Sequence, residues 1–396
     1  MSMNKEYRYL LHILKAFIHE EALKKQEDVD WAELDRLADI HSVGGILGFM
    51  AKQYQLCDEP AVMERMRHRC MSNIVLFTRR AAQMEQLIQN MRKEQIDHIL
   101  FKGYVVKDYY PIPELRSYGD IDFIIRPEAR EKSHQLMLSQ NYNIKTDWEP
   151  VFSYYKDTEY YEIHTDIMEV DVSDKADYRG YFRHMWEHVV QVDDYTWNLT
   201  PEFHFLYLLT HIAKHIYGSG AGVRMYMDIA VFIRHFEDNI DWKFVDQELH
   251  KLELYDFCCV VLTAVKDWFN VDSPIEFKPA SKETMDEFTI FTMEAGIFGY
   301  VNRESGVNAL KKNEQEEEKV SRFSTLMHRL FPAASDIEKR YTYLKGRHWL
   351  LPVAWVHRFI RTRDKWEGHA HEAKVIMSAD EEEVMRLRKI YKDIGL

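Results

Sequence analysis

Apolar positions recur at helical spacing through the first ninety residues. Leu10, Leu11, Leu14 and Phe17 form one such series, and Met63, Met66, Ile74, Leu76, Met84 and Leu87 predict a single long helix ending near Lys93. From Ile96 the period shortens. Ile96, Ile99 and Phe101 predict a short strand leading to Gly103, and a loop follows at Tyr110-Pro111-Ile112-Pro113. Asp120 to Ile125 alternates as a strand does, Pro127 suits a helix start, and Glu128 to Gln140 predict that helix. Tyr142 to Lys145, Val151 to Lys156 and Tyr160 to Val172 predict consecutive strands. From Pro201 the pattern is helical again, through PEFHFLYLLTHIAKHIYG, VRMYMDIAVFIRHF and a helix capped by Asp241. The expected class is α+β: a small mixed-sheet core over residues 96–200, with a helical region before it (1–95) and another after it (201–396).

Composition narrows the function. A chain of 396 residues exceeds what one core usually organises, so two or three packed units are expected. The net charge of -13 argues against generic binding to a polyanion, because a nucleic-acid partner would need a local basic patch to overcome that field. Nucleotides remain open, since a divalent metal arriving with the substrate supplies positive charge. Cys57, Cys70, Cys258 and Cys259 form no CxxC pair and read as buried thiols in a reducing compartment. The N-terminal segment is amphipathic without an apolar leader core, and no stretch has the length to cross a bilayer. A cytoplasmic protein without a membrane partner is therefore expected. The run from Lys311 to Arg322 is a charged connector, and Arg358, Arg361, Arg363 and Lys365 read first as a solvated face, ahead of an anionic-acceptor or RNA contact.

The chemistry concentrates around Asp120 and Asp122. At i and i+2 of a strand they share a face, where two carboxylates repel unless a cation intervenes. Magnesium, with manganese as the alternative, suits such oxygen ligands and bridges them to substrate phosphates. Upstream, Gly103 stands where a strand gives way to a helix, so a phosphate could approach the backbone there; Lys102 and Arg116 add positive charge suited to a polyphosphate. Glu162 and His164 share a face of a later strand, and Glu162 would complete a carboxylate triad if that strand lies beside Asp122, with Asp171 the competing third ligand. Such a triad could hold two metals about 4 Å apart. His211 and His215 have zinc-ligand spacing but no Glu follows the first, so a hydrogen-bonded pair is expected, with the Lys214–His215 end toward the cleft. Arg224 and Asp228, also four apart, read equally as an ion pair or as substrate contacts. No GxGxxG, Walker-type loop, GxSxG or cysteine zinc motif occurs.

The combination of FKG, Tyr-Pro, RSYGDIDFII and YYEIHTD resembles the polymerase-beta-type nucleotidyltransferase superfamily. More narrowly, it is similar to bacterial nucleotidyltransferases that carry Lys-Gly where Gly-Ser or Gly-Gly is usual. That pattern continues with a helix bearing His and Lys-His, then an Arg and an Asp, which His211, Lys214, His215, Arg224 and Asp228 match. The likeness spans about Leu100 to His235 and extends loosely into the LFP and LLPVAWVHR segments. It implies an enzyme in which Asp120 and Asp122 hold a magnesium-bound nucleoside triphosphate. Glu162 matches the third acidic position, ahead of Asp171. An acceptor (a small molecule, a protein or an RNA end) would attack the alpha phosphate and expel pyrophosphate. Two departures stand out: Tyr104 replaces a small residue, and the gap from Gly103 to Asp120 is long. A nucleotide-binding regulatory module with weak or lost transfer is the alternative function, and a helical interaction protein is a third.

Overall fold

In the computed structural model, the described residues are 4–296 apart from 118, 120, 158, 169–171, 174, 219 and 238, followed by 327, 330–338, 341–361, 374, 377 and 381–396. Asp120, Asp171, Arg363, Lys365 and the connector 311–322 lie outside them. The chain divides into two compact units, Met1–Gly299 with Ile394–Leu396, and Tyr300–Asp393.

The first unit opens with α1 (Lys5–Ile18), α2 (Trp31–Ile40), α3 (Gly44–Gln53) and α4 (Pro60–Lys93). Asn4 and Asp30 cap α1 and α2 by accepting backbone N–H bonds, and Pro60 occupies the first turn of α4, where its missing N–H costs nothing. At 34 residues α4 is the long helix the periodicity predicts. α3 presses its backbone onto it at Gly48, where a Cβ would stand 2.6 Å from the Met66 carbonyl oxygen. Farther along, Asn73 donates to the Glu114 carbonyl, Gln83 donates to Glu159, and Arg92 donates to Thr196 and pairs with Asp193.

The sheet comprises β1 (His98–Leu100), β2 (Ile121–Ile125), β3 (Asn143–Trp148), β4 (Val151–Lys156), β5 (Glu159–His164), β6 (Val189–Asp193) and β7 (Thr196–Leu199). Its order is β3-β4-β5-β2-β1-β7-β6. β2 runs parallel to β5 and β1 parallel to β7; the other pairs are antiparallel. α5 (Gly103–Val106) follows β1, α6 (Arg130–Ser139) follows β2, and α7 (Tyr178–Phe182) precedes β6. The fold is thus the expected mixed sheet with helical regions around it. Two differences concern strands. β5 ends at His164, where Thr165 turns back to donate to the Pro150 carbonyl, instead of continuing to Val172. The β6–β7 hairpin has no counterpart among the predicted strands, because Val189–Asp193 lies on the sheet edge, largely exposed, without a buried alternating face.

The two faces of β2 and β5 divide labour by the period of the strand. Ile121, Phe123 and Ile125, with Tyr161 and Ile163, enter a core with Met84, Leu87, Ile88 and Met91 of α4. The alternate positions carry Asp122, Glu162 and His164 to the opposite face. Along the chain follow α8 (Pro201–Gly218), which meets that face through Tyr207 and Phe101, α9 (Val223–Phe236), α10 (Trp242–Lys251), α11 (Tyr255–Phe269) and α12 (Lys282–Ala295). Asp241 caps α10 by accepting from the Phe244 N–H. The second unit contains α13 (Ala334–Ile337), α14 (Leu351–Arg361) and α15 (Glu381–Asp393). Among the described residues, no helix is long and apolar enough to cross a membrane.

Candidate active site

The parallel register sets Asp122 opposite Glu162 and Ile124 opposite His164. Because β2 and β5 are neighbours, the carboxylates of Asp122 and Glu162 and the His164 imidazole converge, each offering one ligand atom within 4.8 Å of the others. His164 Nε2 lies 2.9 Å from Asp122 Oδ1 and 3.9 Å from Glu162 Oε2. Tyr160, on the same face, donates its hydroxyl to Glu162 Oε1 at 2.9 Å. Phe101 packs edge-on against His164 and against Tyr207 of α8, closing the apolar side of the cluster.

Lys102 completes it. Its Nζ donates to Asp122 Oδ1 at 2.7 Å, so one carboxylate oxygen receives both an ammonium and an imidazole. Burial by itself raises the Asp122 carboxyl, but Lys102 and His164 outweigh it and hold that group well below the usual carboxylate range. Asp122 is therefore ionised. The backbone of Lys102 has φ 52° and ψ −138° at the entry to α5, a conformation that costs a side-chain-bearing residue on the order of 1–3 kcal/mol and is upheld by its surroundings.

That surrounding is a second ionic cluster. The Arg116 guanidinium makes paired hydrogen bonds to Asp228 of α9, at 2.8 and 2.7 Å, and Tyr110 donates to the same carboxylate at 2.7 Å. All three side chains are buried. Burial opposes the charge on Arg116, and Asp228 more than restores it; burial and Asp228 push the Tyr110 hydroxyl far above its ordinary range. The guanidinium fills the space beside Gly103 where a Cβ would stand, 2.5 Å from its Nη1. The loop that delivers Arg116 is pinned to α4, since Ser117 donates to Asn73, and the Ser117 carbonyl accepts from Arg224.

On α8, His211 and His215 meet edge-to-face at 4.5 Å. Burial depresses both, to about 4 for His215, and the charges of Lys214, Lys102 and Arg224 push His215 the same way. His211 also feels Asp122, so this end of α8 overlooks the carboxylate cluster. The structure thus gathers Lys102, Asp122, Glu162 and His164 into one group, with His211, Lys214, His215 and Arg224 near it. It joins Arg116 to Asp228 in another, beside Gly103. Tyr110 and Ser117 lie in the Tyr-Pro and RSYG motifs but were given no role by sequence, and Asn73 was not singled out. The available signals were the Tyr-Pro step and an Asn in the middle of an otherwise periodic helix.

Two carboxylates and an imidazole are a donor set that fits a divalent cation. The Lys102 ammonium is the competing positive charge on Asp122. The mixed sheet presents this cluster beside a Lys-Gly helix entry and near the histidine-bearing α8. The model of the uncharacterised nucleotidyltransferase family matches residues 27–270, and the chain belongs to that family. No curated protein and no solved structure matches it. Membership places the chain among the nucleotidyltransferases.

Proposed function

We propose that the protein transfers a nucleoside monophosphate from a nucleoside triphosphate to an acceptor hydroxyl or phosphate, with pyrophosphate leaving, at a site of the polymerase-beta type. The register that sets Glu162 across from Asp122, with His164 against both, carries this reading. Asp122 and Glu162, with Asp120 two residues before Asp122 in sequence, would hold magnesium or manganese. When bound, that cation neutralises the triphosphate and favours the ionised acceptor oxygen. Lys102 sits where its ammonium can pass from Asp122 to a phosphate oxygen. Lys214, His215 and Arg224 supply donors to the polyphosphate or the acceptor. Glu162 is positioned to take the acceptor proton. The new P–O bond forms at the alpha phosphorus as the bond to the beta phosphate oxygen breaks, and the electron pair leaves with pyrophosphate.

A second reading draws on one observation. The Lys102 ammonium already neutralises Asp122, as it would in a module that binds nucleotide without transferring it. Incubation with labelled triphosphates and a divalent cation separates the two, with wild type compared to Asp122→Ala. Transfer predicts label on an acceptor or pyrophosphate release that the substitution abolishes. A nucleotide-dependent thermal shift without pyrophosphate release supports the binding module. Pyrophosphate release that survives the substitution removes the catalytic assignment.

A further inference from the structure

The second unit carries a surface that nucleotidyl transfer leaves unused. α14 buries Ala354 in a small core with Ile337, Tyr341 and Leu344, and Leu351 and Trp355 pack on the same cluster. Trp355 Nε1 donates to the Pro332 carbonyl at 2.9 Å, fixing that side inward. A surface helix with one face in a core ordinarily shows polar residues on the other. Here Trp349, just ahead of α14, is 77% exposed, Val353 56%, Val356 59% and Ile360 69%. On α14, Val353, Val356 and Ile360 align at steps of three and four in one stripe, about 10 Å long at the rise of an α-helix, with Trp349 in the short 3-10 turn ahead of it. Exposed His357 and Arg361 flank it.

Charge identifies the partner. The described residues 341–361 hold Lys345, Arg347, Arg358 and Arg361 and no acidic residue, in a chain whose net charge is -13. That concentration opposes the field of the rest of the molecule. We propose that this stripe binds the anionic surface of a phospholipid bilayer, with the helix lying flat, its apolar side chains at the headgroup boundary and its cations on the lipid phosphates. A nucleic-acid backbone would satisfy the arginines but offers Val353, Val356 and Ile360 nothing to bury against. A second copy of the chain would set these cations against their own counterparts.

The test is cosedimentation of the full-length chain with vesicles of phosphatidylcholine, with and without phosphatidylglycerol. The protein should pellet with the anionic vesicles roughly tenfold more than with the neutral ones, and rising salt should release it. Val356→Glu and Arg361→Glu should each lower the bound fraction by about an order of magnitude, with unchanged melting temperature; Arg361→Lys should retain binding. Equal partition onto both vesicle types, no pelleting with either, or binding undiminished by Val356→Glu overturns the proposal. So does preferential capture by single-stranded RNA, which would assign the face to nucleic acid.

Discussion

Asp122 and Asp228 are both buried aspartates, and each is gripped by a cation from the stretch between β1 and β2. Asp228 receives a planar guanidinium through two parallel hydrogen bonds and a phenol through a third. Asp122 receives a point-charge ammonium and an imidazole, both on one oxygen, beside a second carboxylate. The hardware explains the difference in use. A bidentate arginine fixes geometry, whereas a lysine on a flexible stem holds charge without fixing direction and can change partners. On the proposed reading Asp228 serves architecture and Asp122 stays exchangeable.

Removing the arginine's partner should break the comparison hardest. Asp228→Ala leaves the Arg116 guanidinium buried and unpaired and should cost about 3–5 kcal/mol in urea denaturation, while the apolar pair Arg116→Met with Asp228→Leu should recover most of it. Asp122→Asn should do the opposite. Its stability should stay within about 1 kcal/mol of wild type, since Lys102 can turn to solvent, while the rate of nucleotidyl transfer falls by roughly a thousandfold. If Asp122→Asn unfolded the chain as readily as Asp228→Ala, the two aspartates would share one structural role.

Acid should sharpen the contrast from the architectural side. His204 of α8 is buried near Asp228, and burial depresses it to about 4 although Asp228 pulls it upward; its Nε2 has no hydrogen-bond partner. Above pH 6.5 it is neutral whether the chain is folded or not. Between pH 6.5 and 4 only the unfolded chain takes up the proton, so stability falls with pH and the loss reaches about 3 kcal/mol near pH 4. His204→Phe, which keeps a ring against Phe232, should remove about that much of the slope in denaturation measured across this window. The remainder comes from His41, His98, His211 and His215, which burial depresses as well. The smallest effect expected is Gly103→Ala. Its Cβ must displace the Arg116 guanidinium, at about 1–3 kcal/mol, and should lower transfer by shifting Lys102. Full stability in that variant would show that Arg116 is not packed against Gly103.

The grouping of Lys102, Asp122, Glu162 and His164 was legible because its members sit close in sequence or on strict alternation. Asp122 declares its face through its apolar neighbours Ile121 and Phe123, and Glu162 and His164 do so through Tyr161 and Ile163. The Arg116–Asp228 pair was not legible, because 112 residues separate its partners and nothing local distinguishes Arg116 from a phosphate ligand. The hairpin at β6 and β7 escaped because an exposed edge strand has no buried alternation to betray it. The helices α1, α4, α6, α8, α9 and α10 were readable from their apolar series or their start signals, such as the Asp241 cap.

One rod spans these parts. At 34 residues, α4 is about 51 Å long, and along that length it meets α3 at Met66, the Arg116 loop at Asn73, β5 at Gln83 and the far hairpin at Arg92. Elements far apart in the chain are thereby fastened to a single stiff member. The N-terminal helices and the sheet should consequently lose structure together, in one cooperative step. Amide protons in the turns of α4 that carry the buried Met66 and Cys70, and Met84 to Met91, would exchange only when the whole first unit opens.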